Sequence, residues 1–339
     1  MKSIVVTQPG VLAIQVGDRP QPGPDEVRVK VKYAGVCGSD VHIYRGHNPF
    51  ASYPRIIGHE FFGLIDAVGA NINQSRMGQR VVVDPVLSCG QCYPCTVGRP
   101  NVCLHLQVLG VHRDGGFSEY ACVPARNAHV VTERISDRQA VLIEPFSIAA
   151  NITAQLHPDP RDIALVYGAG PMGLAVIQVL KAVYGVGHIV AVDRIATRLE
   201  RAVACGADAV LNIQHTLLQD FFDAQELLPT LIVDAACHPA ILSQAIDLAS
   251  PAGRIGIMGF SDEGSLLRQK DITSKELSIF SSRLNSGRFP QVIGWLSENK
   301  LQPEQLITHC LDFQQAAAAL HLFESEPAAC CKILLQFAD

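Results

Sequence analysis

The 339-residue chain is predicted to be an α/β protein, a mostly β domain over about the first 150 residues followed by a doubly wound parallel sheet. Three observations lead there. Residues 3–7 and 26–33 (EVRVKVKY) alternate apolar and polar side chains with period two, the pattern of half-exposed strands. From about Arg161 the pattern changes to DIALVYGAGPMGLAVIQVLKAVYG, a buried strand, a glycine turn and an apolar helix. The length itself exceeds one ordinary core and suggests roughly two domains.

Composition narrows the class. Hydrophobic content of 48% and charged content of 17% describe a folded chain with large cores, which excludes disorder. A net charge of -5, with Lys and Arg scattered, offers no footprint for nucleic acid or an anionic membrane, and neither partner is expected. The opening MKSIVVTQPG is broken by Gln8, Pro9 and Gly10 and reads as a first strand, not a secretory signal. No apolar run approaches the roughly 20 residues that span a bilayer. A cytoplasmic location is the default, and there the eleven cysteines stay reduced.

After the first strands and the linker DRPQPGPDE comes AGVCGSDVHIYRGHNPFASYPRIIGHEFFG, residues 34–63. It carries Cys37, Ser39, Asp40, His42, His59 and Glu60 among Gly and Pro punctuation that reads as loops. Any one of these is unremarked in a loop; together they supply zinc donors, and a catalytic zinc takes three protein ligands and leaves a position open. Two strand-like runs, FFGLIDAVG and GQRVVVDPV, lead to SCGQCYPCTVGRPNVC. Cys89, Cys92, Cys95 and Cys103 can close a tetrahedral zinc shell that braces a loop; a disulfide knot or an iron–sulfur cluster is the alternative, but the spacing fits none of the common cluster runs.

In LGVHRDGGFSEYACVPA, Gly115 and Gly116 make a turn, and His112, Arg113 and Glu119 either face the site or lie on the surface. LIEPFSIAANIT places Glu144 at the junction of the two domains, where it is the expected third zinc ligand. Gly168, Gly170 and Gly173 then form Gly-x-Gly-x-x-Gly around Pro171 and Met172. The following strand HIVAVD ends in Asp193, twenty residues past the last glycine. Between a strand and a helix this spacing is specific: the backbone approaches a pyrophosphate at the helix N-terminus. Asp193 would accept hydrogen bonds from ribose hydroxyls and repel a 2′-phosphate, whereas Arg194 would attract one; NAD is expected over NADP. LIVDAAC, HPAILSQAIDLAS and RIGIMGF supply the second half of the sheet, with Cys205 and Cys237 as simple thiols. The last segment holds Arg283, Asn285 and Arg288 and returns to the first domain; His309, Cys310, His321, Cys330 and Cys331 lack ligand spacing and read as structural.

With CGSDVH, GHEFFG, the four-Cys lobe, GGFSEY, EPF and GAGPMG in view, the chain resembles the zinc-dependent medium-chain alcohol and polyol dehydrogenases over essentially its whole length. Runs such as HIYRGHNPF, DAACHP and ELSIFSSRLN are most similar to a bacterial subgroup that includes starvation-sensing proteins and oxidoreductases of L-galactonate. The resemblance implies a chaperonin-10-like (GroES-like) β catalytic domain over residues 1–150, completed by about 290–339, with a NAD-binding Rossmann domain at 151–289. It implies a catalytic zinc in the cleft between them on Cys37, His59 and Glu144, with Glu60 an occasional or water-mediated ligand. The alcohol dehydrogenases that bind ethanol-like substrates carry Cys where Glu144 stands, so the carboxylate resembles the polyol branch.

Hydride would pass from the carbon bearing a zinc-held hydroxyl to C4 of the nicotinamide. Ser39 would take the hydroxyl proton and pass it by the cofactor ribose to His42, while Asp40 orients a zinc ligand. The favoured substrate is a hexonate such as L-galactonate, oxidised at a secondary hydroxyl to a keto acid. Its carboxylate suits an arginine, for which Arg45, Arg113, Arg283 and Arg288 are candidates. A neutral polyol or sugar alcohol phosphate is the runner-up. A nicotinamide-binding sensor without turnover is a third reading, which the presence of Cys37, Ser39 and His42 disfavours. A homo-oligomer, dimer or tetramer, is expected by resemblance.

Overall fold

The computed structural model describes residues 1–338, which divide into two compact units. The first comprises residues 1–144, 289–297 and 307–339. Its main sheet has seven strands, running Ala128–Val130, Arg80–Val83, Glu60–Val68, Glu26–Val36, Lys332–Gln336, Ile307–Asp312, with Tyr120–Pro124 also paired to Glu26–Val36. A three-stranded sheet joins Val11–Val16, Lys2–Gln8 and Arg55–Ile56.

The alternation in EVRVKVKY does what period two dictates: Val27, Val29 and Val31 are buried on one face. On the other face Arg28 is also largely covered, and it is kept ionised there by Asp66, which accepts from its Nε at 2.9 Å and its Nη2 at 3.1 Å. At its far end the same strand is flanked by Glu60–Val68 on one side and the C-terminal strand on the other, with Gly35 opposite both Glu60 and Leu334. That register decides the surroundings of the site.

The second unit comprises residues 145–288 and 298–306. Six parallel strands run in the order Ala209–Asn212, His188–Asp193, Ile163–Tyr167, Leu231–Asp234, Arg254–Ile257, Ser278–Ser281. In order of sequence this is 3-2-1-4-5-6, the Rossmann arrangement, with its switch point between Ile163–Tyr167 and Leu231–Asp234. Leu165, Val190, Phe222, Ile232, Ile246 and Ile255 form its core. Among the described residues no helix is long and apolar enough to cross a membrane.

The division falls between Glu144 and Pro145, a few residues before the expected boundary at 150. The helix Ile143–Leu156 explains it, because Ile152 and Leu156 lie where a Cβ on Gly256, in the second unit's sheet, would meet them at 2.9 Å. Residues 298–306 also join the second unit, since the Gln178 amide donates to Gln302 O at 3.0 Å and accepts from Gln302 N at 2.9 Å.

Candidate active site

The strand Glu26–Val36 gives way at Cys37, whose extended backbone caps the short helix Gly38–Tyr44. Asp40, fully buried in the first turn of that helix, ties two loops together: it accepts from Cys37 N at 2.9 Å and from Gly58 N at 3.1 Å. Gly58 has φ of +90°, and a Cβ there would strike the Phe117 ring at 2.0 Å, so only glycine passes the chain into His59. His59 Nδ1 lies 3.7 Å from Asp40 Oδ1. Burial opposes charge on His59, but Asp40 and Cys37 outweigh it and hold the imidazole well above its usual pKa.

Donor atoms of Cys37, His59 and Glu60 lie within 4.8 Å of one another. Ligands about 2.0–2.3 Å from a shared zinc lie up to about 4.6 Å apart, so a thiol, an imidazole and a carboxylate at this separation fit one ion with small side-chain movements. Glu144 stands outside that trio, 1% exposed at the start of its helix. Burial pushes its carboxyl up to about 8, with His59 and Lys332 pulling it down and Glu60 pushing it up. Of the expected ligands, Cys37 and His59 are gathered with Glu60, whereas Glu144 is not within that separation, although its carboxyl feels the charges of His59 and Glu60.

Lys332 is the residue that sequence reasoning missed. It is 2% exposed and donates to both Glu60 oxygens, at 2.7 and 2.8 Å, and to Val36 O at 3.2 Å. Burial alone would discharge it; Glu60 more than compensates and raises its pKa. A single lysine, 272 residues from its carboxylate partner, carries no local signal.

Ser39 and His42 occupy positions three apart on the helix Gly38–Tyr44, on neighbouring turns. The Ser39 hydroxyl is shielded from solvent and has no hydrogen-bond partner among the described residues, whereas His42 is exposed. A buried hydroxyl without a partner costs free energy unless a ligand supplies one.

The four-Cys lobe is equally well formed. Donor atoms of Cys89, Cys92, Cys95 and Cys103 lie within 4.8 Å of one another, with Cys92 Sγ 3.4 Å from Cys95 Sγ and 3.6 Å from Cys103 Sγ. These are free thiols, and sulfurs about 2.3 Å from one zinc would be about 3.8 Å apart. Backbone N–H groups, led by that of Leu104, hold the Cys92 thiol down to about 6, which prepares a thiolate.

In the second unit Gly168 takes φ of +88°, and a Cβ on Gly173 would lie 1.8 Å from Gly168 O, so the turn needs both glycines. Gly170 precedes the helix Pro171–Gln178, which opens on Pro171 and Met172. The Asp193 carboxylate accepts from Ala169 N at 2.8 Å, Arg194 N at 2.7 Å and Ile195 N at 2.9 Å. It therefore locks the glycine turn to the next strand as well as offering an anion to a ribose. Arg194 is exposed, while Arg198, which the sequence reading passed over, reaches to 3.9 Å of Asp193 and flanks Gly170.

Residues 23–133 match the family described as Alcohol dehydrogenase GroES-like domain, and residues 171–298 match Zinc-binding dehydrogenase. The starvation-sensing protein RspB of Escherichia coli K12 is 59% identical over 339 residues, covering 100% of both chains. The chain belongs to the zinc-binding alcohol dehydrogenases. An L-galactonate-5-dehydrogenase of Escherichia coli K12 is 33% identical, covering 94% of this chain and 93% of its own. The solved structure of the alcohol dehydrogenase rspB of Escherichia coli CFT073, complexed with NADH, superposes with a TM-score of 0.97 at 58% identity, covering 99% of each chain. This dehydrogenase is an NAD-linked, zinc-dependent enzyme with a GroES-like unit and a Rossmann unit.

Three of the four arginines expected to hold a substrate carboxylate, Arg45, Arg113 and Arg283, already have partners in the fold. Arg45 pairs with Glu324, through Nε at 3.2 Å and Nη2 at 2.5 Å, and lines a cavity of about 230 Å³ with Gly38, Val41, His42, His47 and Phe323. Arg113 pairs with Glu26 at 3.3 Å and lines a separate cavity with Arg55, His112 and Asp114. Arg283, in the second unit, stacks over Phe260 at 5.4 Å. Arg45 alone of the three shares a cavity with a residue of the expected proton relay.

Proposed function

We propose that this dehydrogenase oxidises a secondary hydroxyl of a hexonate such as L-galactonate to a keto acid, with NAD as hydride acceptor. The observation that carries the reading is the cavity beside Ser39 in the chain. Arg45, His42 and His47 line it, and Arg45 Nη1 has no hydrogen-bond partner among the described residues and is available to a carboxylate. The L-galactonate-5-dehydrogenase relative supports the same substrate class.

Cys37, His59 and Glu144, with Glu60 beside them, would hold the catalytic zinc, whose chemistry is to acidify the bound hydroxyl and stabilise its alkoxide. NAD, on the Gly168–Gly173 turn and Asp193, supplies the hydride acceptor. The protein's own part is proton handling. Ser39 Oγ, lacking a partner, would take the substrate hydroxyl proton as it gives up its own through the cofactor ribose hydroxyls to His42, which is exposed on the next turn and would release it to solvent. Asp40, buried and bonded to both ligand loops, fixes where Cys37 and His59 stand. Cys89, Cys92, Cys95 and Cys103 would hold a second zinc that braces the lobe.

The second reading, a neutral polyol, is favoured by the pairing of Arg45 with Glu324 and of Arg113 with Glu26, which neutralises both cations. NADH formation by the zinc-loaded protein with L-galactonate, L-gulonate, galactitol and sorbitol separates the two. Turnover confined to the acids is expected; turnover confined to the polyols would overturn the hexonate reading and leave the zinc site standing.

A further inference from the structure

We propose that the first unit carries a binding site for a small oxyanion, a carboxylate or a phosphate group, in the cavity lined by Arg55 and Arg113. This cavity shares no lining residue with the one beside Ser39. Its volume is about 350 Å³, within the range of small-molecule sites, and its walls come from the strand Arg55–Ile56, residues 112–115 and the strand Tyr120–Pro124. Backbone groups fix these walls to one another. Ile56 N donates to Asp114 Oδ1 at 3.2 Å and Gly115 N donates to Ile56 O at 2.8 Å, so the cavity stands formed before anything enters it.

Charge decides what enters. Arg55 and Arg113 line the cavity, and among the described residues Asp114 is the one acid on its wall. Two guanidiniums around one concavity repel each other and carry no acceptor atoms, so an anion between them is favoured and a cation is not. Each already meets a carboxylate, Arg55 Nη1 donating to Asp114 Oδ1 at 2.9 Å and Arg113 Nη2 to Glu26 Oε1 at 3.3 Å. Neither contact uses the cation up. Asp114 is 61% exposed, where water screens it, and the bond to Glu26 is long and single, which leaves the other N–H groups of the 42% exposed Arg113 to a ligand.

Arg55 is the anchor. It is only 14% exposed, its Nη2 donates to the neutral Ser52 Oγ at 2.8 Å, and its buried Nε has no partner among the described residues. The fold alone therefore meets its charge incompletely. Tyr120 adds an aromatic wall, and Arg19 stands over that ring at 4.6 Å with no acidic partner among the described residues, a third cation beside the cavity. Cys122, also on the wall, supplies no counter-charge: burial first, and then Glu26, push its thiol up to about 11.

The site is independent of the hexonate reading, so binding rather than turnover tests it. Zinc-loaded protein saturated with NADH, which fills the glycine turn, is titrated calorimetrically at low ionic strength with inorganic phosphate and, separately, with malonate. One saturable site per chain is expected for at least one probe, and the probe that answers tells a phosphate-bearing ligand from a carboxylate. Arg113→Gln and Arg55→Gln should each weaken that binding about tenfold, the loss of one charge-assisted pairing. Arg45→Gln, in the other cavity, should leave it within about twofold. Absence of saturable binding by both probes would overturn the proposal. So would an affinity that survives Arg113→Gln, or one that falls with Arg45→Gln, because the anion would then sit elsewhere. Arg113 lies on the open side, so its variant keeps the test decisive should Arg55→Gln fail to fold.

Discussion

Ser39 concentrates the proton chemistry in one unpartnered hydroxyl, so its removal should be specific. Ser39→Ala is expected to lower kcat by about 10²-fold, within the usual range for general acid–base groups, and to leave the dissociation constant for NADH nearly unchanged by fluorescence titration. Equal losses in both would make Ser39 a packing residue instead. His129 gives the pH response of the fold. Burial first, and then Arg76, lower its pKa, and its ring stacks on Phe289 at 5.3 Å. Its folded pKa is depressed, so below about 6.5 the unfolded chain binds a proton that the folded chain refuses, and stability falls as pH falls through that window. His129→Phe should flatten the slope of unfolding free energy against pH between about 5 and 7, measured by urea denaturation. Cys37, His59 and Glu60 were readable because thiol, imidazole and carboxylate flank glycines in one stretch. Lys332 was not, since its meaning comes wholly from a strand pairing made across the length of the chain.

At the scale of elements, strands and turns were legible wherever a residue has only one conformational use. The alternation at residues 26–33 gave its strand, and Gly168, Gly173 and Asp193 gave the turn on which the Rossmann sheet opens. The expected boundary at 150 cuts the helix Ile143–Leu156, because an apolar helix does not announce which sheet it will cover; the packing of its Ile152 and Leu156 at Gly256 places it with the second unit's sheet. Gly35 shows how one strand position governs a neighbour. Gly35→Ala should force the Glu60 carboxylate from its seat and destabilise the protein by about 1–3 kcal/mol, as overpacked interiors do. A midpoint in chemical denaturation equal to that of the parent would mean that the strand yields instead. In the lobe of residues 89–103, folding and metal are one event, because four thiols with few apolar neighbours make a poor core. Cys103→Ser should therefore raise proteolytic cleavage within that segment at least tenfold while leaving amide protection in the second unit's strands intact.

The two units were legible in the whole molecule through their contrasting periodicities, and the topology explains what periodicity hides. Lys332–Gln336 sits inside the first unit's sheet, antiparallel to Glu26–Val36 and parallel to Ile307–Asp312. A chain ending at residue 331 should lose amide protection at residues 26–36 and 307–312 and keep it at residues 163–167, 188–193 and 231–234, read by hydrogen exchange. Loss across both sheets would show that the second unit depends on the first.

This placement sets an order of events at the ribosome. The strand that supplies Lys332 is made after all six Rossmann strands. The nucleotide-binding half can therefore fold before it arrives, and the Glu60 carboxylate, made early, waits for its ammonium while the whole second unit is synthesised. Arrival of that strand is also the moment at which a buried carboxylate gains the cation it faces in the folded sheet.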